Sequence, residues 1–347
     1  MRILITAPYL NSGGVNVFVK SIYPFFEDIN IFYRGRRSQK PSCINGLFDG
    51  IVMPFRFIWK LIAIRPDKVI VNTSLGSSTL VRDGLLVLLS KLLQRKVLLI
   101  VHGFNSIALK HKFLLRMGYF KADAMIVLSN AFKEQMIARG YGKPIYTQYN
   151  PVDNACFQFF EKYSKRNLTK LHNILFLSRV EKSKGIYLAI DAFRNIASKH
   201  KDIVFNIVGN GSELEKVKLY ISENQIQNVK ILGFKDKEDK YKVLAENDVM
   251  LFPSYYREGL PICILEAIAA GQLILTRPLG GLIDLYEECP FGEMTGSQDP
   301  EVFADAFEKY FNNPSLTAEI RKNNREYADH FRPTKIVENI QQILNSL

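Results

Sequence analysis

Apolar residues along the chain gather in short unbroken runs, and longer stretches of mixed polarity separate the runs. Arg2 to Ala7 is the first run and predicts a buried strand. A loop with Asn11-Ser12-Gly13-Gly14 follows, then a helical pattern from about Val15 to Phe26. Lys68 to Asn72, Lys96 to His102 and Ala124 to Ser129 predict three more strands, each β-branched or Leu-rich and each set off by helical patterns. The pattern restarts after Asn150-Pro151-Val152-Asp153, and the polar stretch from Glu161 to Lys170 reads as a surface connection. Five further strands are expected at Asn173–Ser178, Val204–Gly209, Val229–Gly233, Val249–Pro253 and Leu273–Thr276. Strand–helix alternation of this kind builds parallel sheets.

The expected fold class is therefore α/β, with two doubly wound parallel-sheet domains in tandem. The boundaries fall at residues 1–153 and 154–333. Thr334 to Leu347 forms a last helix, with Ile336, Ile340, Ile343 and Leu344 on one face. In such folds ligands sit at the carboxyl ends of the strands, so the cleft between two facing domains is the natural site.

Composition sharpens this picture. The chain has 347 residues and 47% hydrophobic content, enough for two cores and far from the disordered range. Four scattered cysteines, Cys43, Cys156, Cys263 and Cys289, form no C-x-x-C pair, which argues against a disulfide scaffold or a zinc ribbon. The formal net charge is +12. Residues 1–150 hold 21 Lys+Arg against 7 Asp+Glu, or +14, whereas the remainder is −2. The first half thus calls for an anionic partner. No segment predicts a signal peptide or a membrane span, because Lys91, Arg95 and Lys96 break the most apolar region, Leu85 to Val101. A cytoplasmic protein, peripheral on the inner face of the cytoplasmic membrane, is expected.

The segment from Ser254 to Ala267 carries the candidate chemistry. It follows a strand and enters a helix near Pro261, a residue suited to a first helical turn. Glu258 then precedes the helix and Glu266 lies inside it. The amides of Ile262 and Cys263 open the helix and can hold an anion. Spacing alone leaves a second reading open, in which Glu258 is a solvated N-terminal helix acid and Glu266 a surface residue.

Two glutamates in E-G-L-P-x-x-x-x-E-A context resemble the signature of family four of the retaining glycosyltransferases. Further motifs resemble that family in the same order. These are Gly13-Gly14, Asn150-Pro151-Val152-Asp153, Phe176-Leu177-Ser178-Arg179-Val180 with Lys184-Gly185, Val208-Gly209-Asn210-Gly211 and Leu279-Gly280-Gly281-Leu282. Ser178 replaces the family's usual glycine. The resemblance spans nearly the whole chain and implies a GT-B fold, with an acceptor-binding first domain and a donor-binding second domain joined by a returning last helix.

It also implies sugar transfer from a nucleotide diphosphate with retained configuration. The candidate donor-binding residues are Gly14, Arg179, Lys184, Gly209, Glu258, Gly259, Leu260, Ile262 and Glu266. Arg179 can fork across two phosphate oxygens and Lys184 adds a point charge. By resemblance Glu266 binds the ribose hydroxyls, while Glu258 and His102, the catalytic candidates, lie at the donor sugar. No acidic cluster suggests a metal, and no cofactor is expected. Ser129 is a weaker cleft candidate that fits equally well as a helix N-cap.

Basic and apolar residues interleave at Phe55 to Ile62, Lys91 to Lys96 and Leu109 to Arg116, and Arg34, Arg36, Arg37 and Lys40 add a basic loop. Basic amphipathic helices bind anionic membrane surfaces, so a lipid-linked saccharide acceptor in surface-polysaccharide assembly is expected. The competing reading makes Phe55, Phe57, Trp59 and Leu61 core residues. Other enzymes of similar fold, such as a sugar-nucleotide epimerase, remain open, as does a basic nucleic-acid-binding protein. The latter lacks helix-turn-helix, RNA-recognition and zinc-finger signatures.

Overall fold

The computed structural model describes all residues except 10–12, 36–42, 104–109, 163–166 and 257–258, and the side chains of 43–50 and 77–78. The chain divides into two compact units. One comprises Met1–Pro151, Arg257–Leu260 and Pro333–Leu347; the other comprises Val152–Tyr256 and Pro261–Arg332.

Along the first unit run β1 (Ile3–Pro8), α1 (Gly14–Ile22), β2 (Ile29–Arg34), α2 (Cys43–Ile64), β3 (Lys68–Thr73), α3 (Ser77–Leu92), β4 (Lys96–Val101), α4 (Lys112–Met117), β5 (Ala124–Val127), α5 (Asn130–Ala138) and β6 (Ile145–Thr147). The second unit holds α6 (Asn154–Lys162), β7 (Asn173–Leu177), α7 (Ile186–Lys199), β8 (Val204–Val208), α8 (Leu214–Glu223), β9 (Val229–Gly233), α9 (Lys237–Glu246), β10 (Val249–Phe252), α10 (Ile262–Ala269), β11 (Leu273–Thr276), α11 (Gly281–Glu288), β12 (Gly292–Met294), α12 (Pro300–Phe311) and α13 (Pro314–Tyr327). The last helix, α14 (Pro333–Ser346), belongs to the first unit.

Both sheets have six strands and every pairing is parallel. The first sheet runs β2-β1-β3-β4-β5-β6, so its order reverses between β1 and β3. The second runs β12-β11-β10-β7-β8-β9 and reverses between β7 and β10, the dinucleotide-fold order. β2, β6 and β12 were not among the expected strands, and all three lie at sheet edges.

Strand alternation builds the cores. In the first unit Leu4, Val69, Val71 and Leu99 face one side with Phe57 and Leu61 of α2. Ile3, Ile5, Ile70 and Ile100 face the other with Phe18 and Val19 of α1 and with Ile336, Val337, Ile340, Ile343 and Leu344 of α14. In the second unit Ile174, Phe176, Phe205 and Leu251 pack with α7 and α12.

The expected basic amphipathic helix splits in an informative way. Met53, Phe57 and Leu61 of α2 are buried, as the core reading requires. Phe55 and Trp59 are each 69% exposed, and Ile51 and Ile62 are exposed with them. At 100° per residue these four positions lie together on the face opposite the core. Arg34 corrects the expected basic loop. It ends β2, is buried, and lies 3.4 Å from the Asp83 carboxylate, while its guanidinium also donates to the carbonyl of Asn72. A buried guanidinium needs such partners. Arg36, Arg37 and Lys40 lie outside the described residues.

Candidate active site

In the second unit the reversal point places the ends of β7 and β10 side by side. Arg179 and Lys184 follow β7, and Tyr256 follows β10. Both cations face the Tyr256 ring, with Lys184 Nζ 4.3 Å and the Arg179 guanidinium carbon 5.9 Å from its centre. Lys184 is buried whereas Arg179 is exposed and bonded to Glu181 at 2.5 Å. Backbone bonds tie the two loops, since Tyr255 N–H donates to Ser183 O at 3.1 Å.

Gly185 and Gly209 are dictated by this packing. Both have positive φ, 77° and 138°, and a Cβ at either would overlap a carbonyl oxygen, of Pro253 and Ser178 respectively. Gly209 is therefore required by the fold whether or not it touches a donor. The Ser178 and Gly209 turns are locked further by Val180 N–H donating to Asn210 O at 3.0 Å.

Pro261 caps α10 rather than entering it, with the first helical residue Ile262 half-buried. Glu266 is only 4% exposed, which excludes the surface-acid reading. Its Oε1 accepts from Lys240 Nζ at 2.6 Å. Glu258 lies outside the described residues.

In the first unit the strand ends surround His102. Asn72 Nδ2 donates to the Thr6 carbonyl at 2.8 Å, so Asn72 Oδ1 must be the atom facing His102 Nε2 at 2.7 Å. A carbonyl oxygen only accepts, so Nε2 carries the ring proton. Phe18 packs edge-on against the ring at 4.5 Å. Burial, then the neighbouring Arg34 charge, pushes the His102 pKa down to about 3, against a weaker upward pull from an Asn150 hydrogen bond. The ring is thus a neutral hydrogen-bonding group rather than a proton relay at neutral pH.

Gly259 and Leu260 group with the first unit. A Cβ at Gly259 would come within 2.9 Å of the His102 carbonyl oxygen, and Asn150 Nδ2 donates to Leu260 O at 2.9 Å. Gly13 caps α1 at φ 110°, and Gly14 opens the helix with free space at its Cβ position. Ser129 is the N-cap of α5 and accepts from Phe132 N–H at 3.2 Å.

Tyr256, Asn72 and Lys240 are absent from the expected set. Tyr256 lies within the quoted motif, but Asn72 and Lys240 carry no pattern of their own. Among the described residues no group of three or more His, Cys, Asp or Glu gathers to hold a metal, and no helix is long and apolar enough to cross a membrane.

Residues 159–327 match the family model of the glycosyl transferases group 1. The similarity to the group 1 glycosyltransferases thus lies in residues 159–327, just under half of the chain. It is 25% identical over 228 residues to the amylovoran biosynthesis glycosyltransferase AmsK of Erwinia amylovora, covering 62% of this chain and 54% of that one. It is 26% identical over 261 residues to the capsular polysaccharide biosynthesis glycosyltransferase CapM of Staphylococcus aureus, covering 71% and 67%. Against AmsK the match thus spans about half of the relative's length. The fold is similar to that of Anabaena Alr3699/HepE, solved in complex with UDP, at a TM-score of 0.75 and 19% identity over 100% of both chains. These likenesses place the two Rossmann-like sheets in the GT-B class.

Proposed function

We propose that this chain moves a sugar from a nucleotide-diphosphate donor to a saccharide acceptor in cell-surface polysaccharide synthesis, with retention at the anomeric carbon. The observation that carries the reading is the pair of cations, Arg179 and Lys184, gathered on Tyr256 at the strand-order reversal of the second sheet. That is where doubly wound sheets bind phosphates. Charge builds on the leaving diphosphate as the glycosidic bond breaks. A buried ammonium, a forked guanidinium and the start of α10 are suited to take it up. The reading therefore calls for no metal or other cofactor. The names of AmsK and CapM support a polysaccharide product, and the UDP in HepE supports a nucleotide donor.

The test is a thermal-shift screen of UDP-, GDP-, ADP- and CMP-sugars, followed by a transfer assay with the stabilising donor. Release of nucleoside diphosphate should depend on acceptor, and the product linkage read by NMR should keep the donor's anomeric configuration. Acceptor-independent release of a changed sugar would point to an epimerase instead. Glu258→Ala and Arg179→Ala should each reduce turnover far more than melting temperature.

The same reading has a lipid-linked acceptor, reached by docking on the cytoplasmic membrane surface. The exposed apolar face of α2 supports it, since Arg56 and Lys60 lie on the same helix and the first 150 residues carry +14. Apolar insertion and attraction to anionic lipid act together on such a face. Co-sedimentation with phosphatidylglycerol vesicles at low salt, absent with neutral vesicles, is the expected result.

A further inference from the structure

The pair of Lys240 and Glu266, a partly exposed ammonium on a buried carboxylate, is not explained by folding alone. A buried ion pair is rarely more stable than well-packed apolar residues of the same volume. Lys240 lies on α9 and Glu266 on α10, both within the second unit. The Lys240 side chain packs over Tyr241, at 5.7 Å from the ring centre, and Tyr241 Oη donates to Asp153 at 3.0 Å. The ammonium therefore has a fixed approach to the carboxylate. Burial works against its charge but Glu266 outweighs this, so its pKa is raised.

The carboxylate is only half used. Oε1 accepts from Lys240, and Oε2 has no hydrogen-bond partner among the described residues. An ionised carboxylate has about four acceptor positions. α10 starts beyond the end of β10, at the strand edge where ligands bind in this sheet order. A vicinal diol presents two O–H donors, the group that an anchored carboxylate with one open oxygen takes best.

We propose that Lys240 is a positioning residue for the donor nucleotide. Its ammonium pins Oε1 of Glu266, which leaves Oε2 aimed at the ribose diol. This rests on the reading of Glu266 as the ribose-binding residue. No bond is made or broken in the step, so its signature is selective affinity for the diol.

Calorimetric titration of the full chain with UDP, GDP and ADP, beside their 2′,3′-dideoxy forms, tests both layers. The wild type should bind its preferred ribonucleotide roughly tenfold or more tighter than the dideoxy form, the value of a charged hydrogen bond. Glu266→Gln should bring that ratio close to one. Lys240→Met should cut it by about fivefold or more, and Lys240→Arg should restore most of it. In the Glu266→Gln background Lys240→Met should leave the ratio unchanged. If Lys240→Met keeps the wild-type ratio while Glu266→Gln loses it, the positioning role is wrong and the ribose reading stands. If Glu266→Gln keeps the ratio, both fall. Should Lys240→Met fail to fold, Lys240→Gln reads the same ratio.

Discussion

In the second unit two buried carboxylates are each paired with a cation, and the pairs are built differently. Arg321 is fully buried and donates to Gly271 O, Leu168 O and Lys170 O as well as to Asp248 Oδ1. Asp248 Oδ2 accepts from the amides of His172 and Asn173. Both members are saturated, and together they tie β7, β10 and α13. Lys240 and Glu266 share one bond and leave a carboxylate oxygen open. Saturation marks a pair that serves the fold, and an open valence marks one that serves a ligand.

The largest effect expected from this contrast is on stability. Arg321→Met removes the cation from beside the buried Asp248 carboxylate, which costs about 3–5 kcal/mol. Urea unfolding should show it, with nucleotide affinity of the remaining folded protein unchanged. An unchanged midpoint would contradict the structural assignment. Lys184→Ala should do the opposite, lowering turnover roughly 100-fold or more for loss of one preorganised charge. Its melting temperature should move little.

The comparison extends to the two faces of α2. Phe57→Ala should destabilise by about 3–5 kcal/mol, since it empties a core position. Phe55→Ser with Trp59→Ser should leave the melting temperature within a degree or two of wild type. The same double variant should lose most binding to anionic vesicles, and unchanged co-sedimentation would remove α2 from the docking surface.

The smallest effect concerns His102. Its folded pKa is depressed to about 3 from 6.5. Between those values the unfolded chain binds the extra proton, so stability rises with pH through that window and falls on acidification. Above pH 6.5 the group contributes no pH dependence. Melting curves of His102→Gln from pH 4 to pH 7 should therefore fall less steeply on acidification than those of the wild type. An NMR titration of the ring should show no midpoint between pH 5 and pH 8.

Much of the architecture is written in the apolar runs. All five strands expected in the second unit occur there, with ends displaced by at most one residue. Central strands are buried on both faces and so read as unbroken apolar stretches. The missed strands are edges. β2 carries Asn30, Tyr33 and Arg34, and β12 is Gly-Glu-Met, because an edge needs less apolar surface. At the site, the loop bearing Arg179 and Lys184 and the helix bearing Glu266 were legible from motif spacing. Lys240 was not, because an isolated lysine in the polar pattern of α9 looks like any solvated helix residue. Asn72 ends an apolar strand, and its grip on His102 comes from register with Thr6 across the sheet, which one chain segment does not display. Arg34 misled for the same reason, since its partner Asp83 lies in a different element.

The return of α14 to the first unit has a consequence for synthesis. Its five buried aliphatic side chains cover one face of a sheet whose strands are all made before residue 151. A ribosome releases those strands first and the covering helix only after the whole second unit has emerged. The unit that begins first is thus completed last, with Ile3, Ile5 and Ile70 lacking their helix in the interval. A chain stopped at residue 332 would leave bare the part of that face that α1 does not cover, and aggregation of such a product, with rescue by a separately supplied 333–347 peptide, is its natural signature.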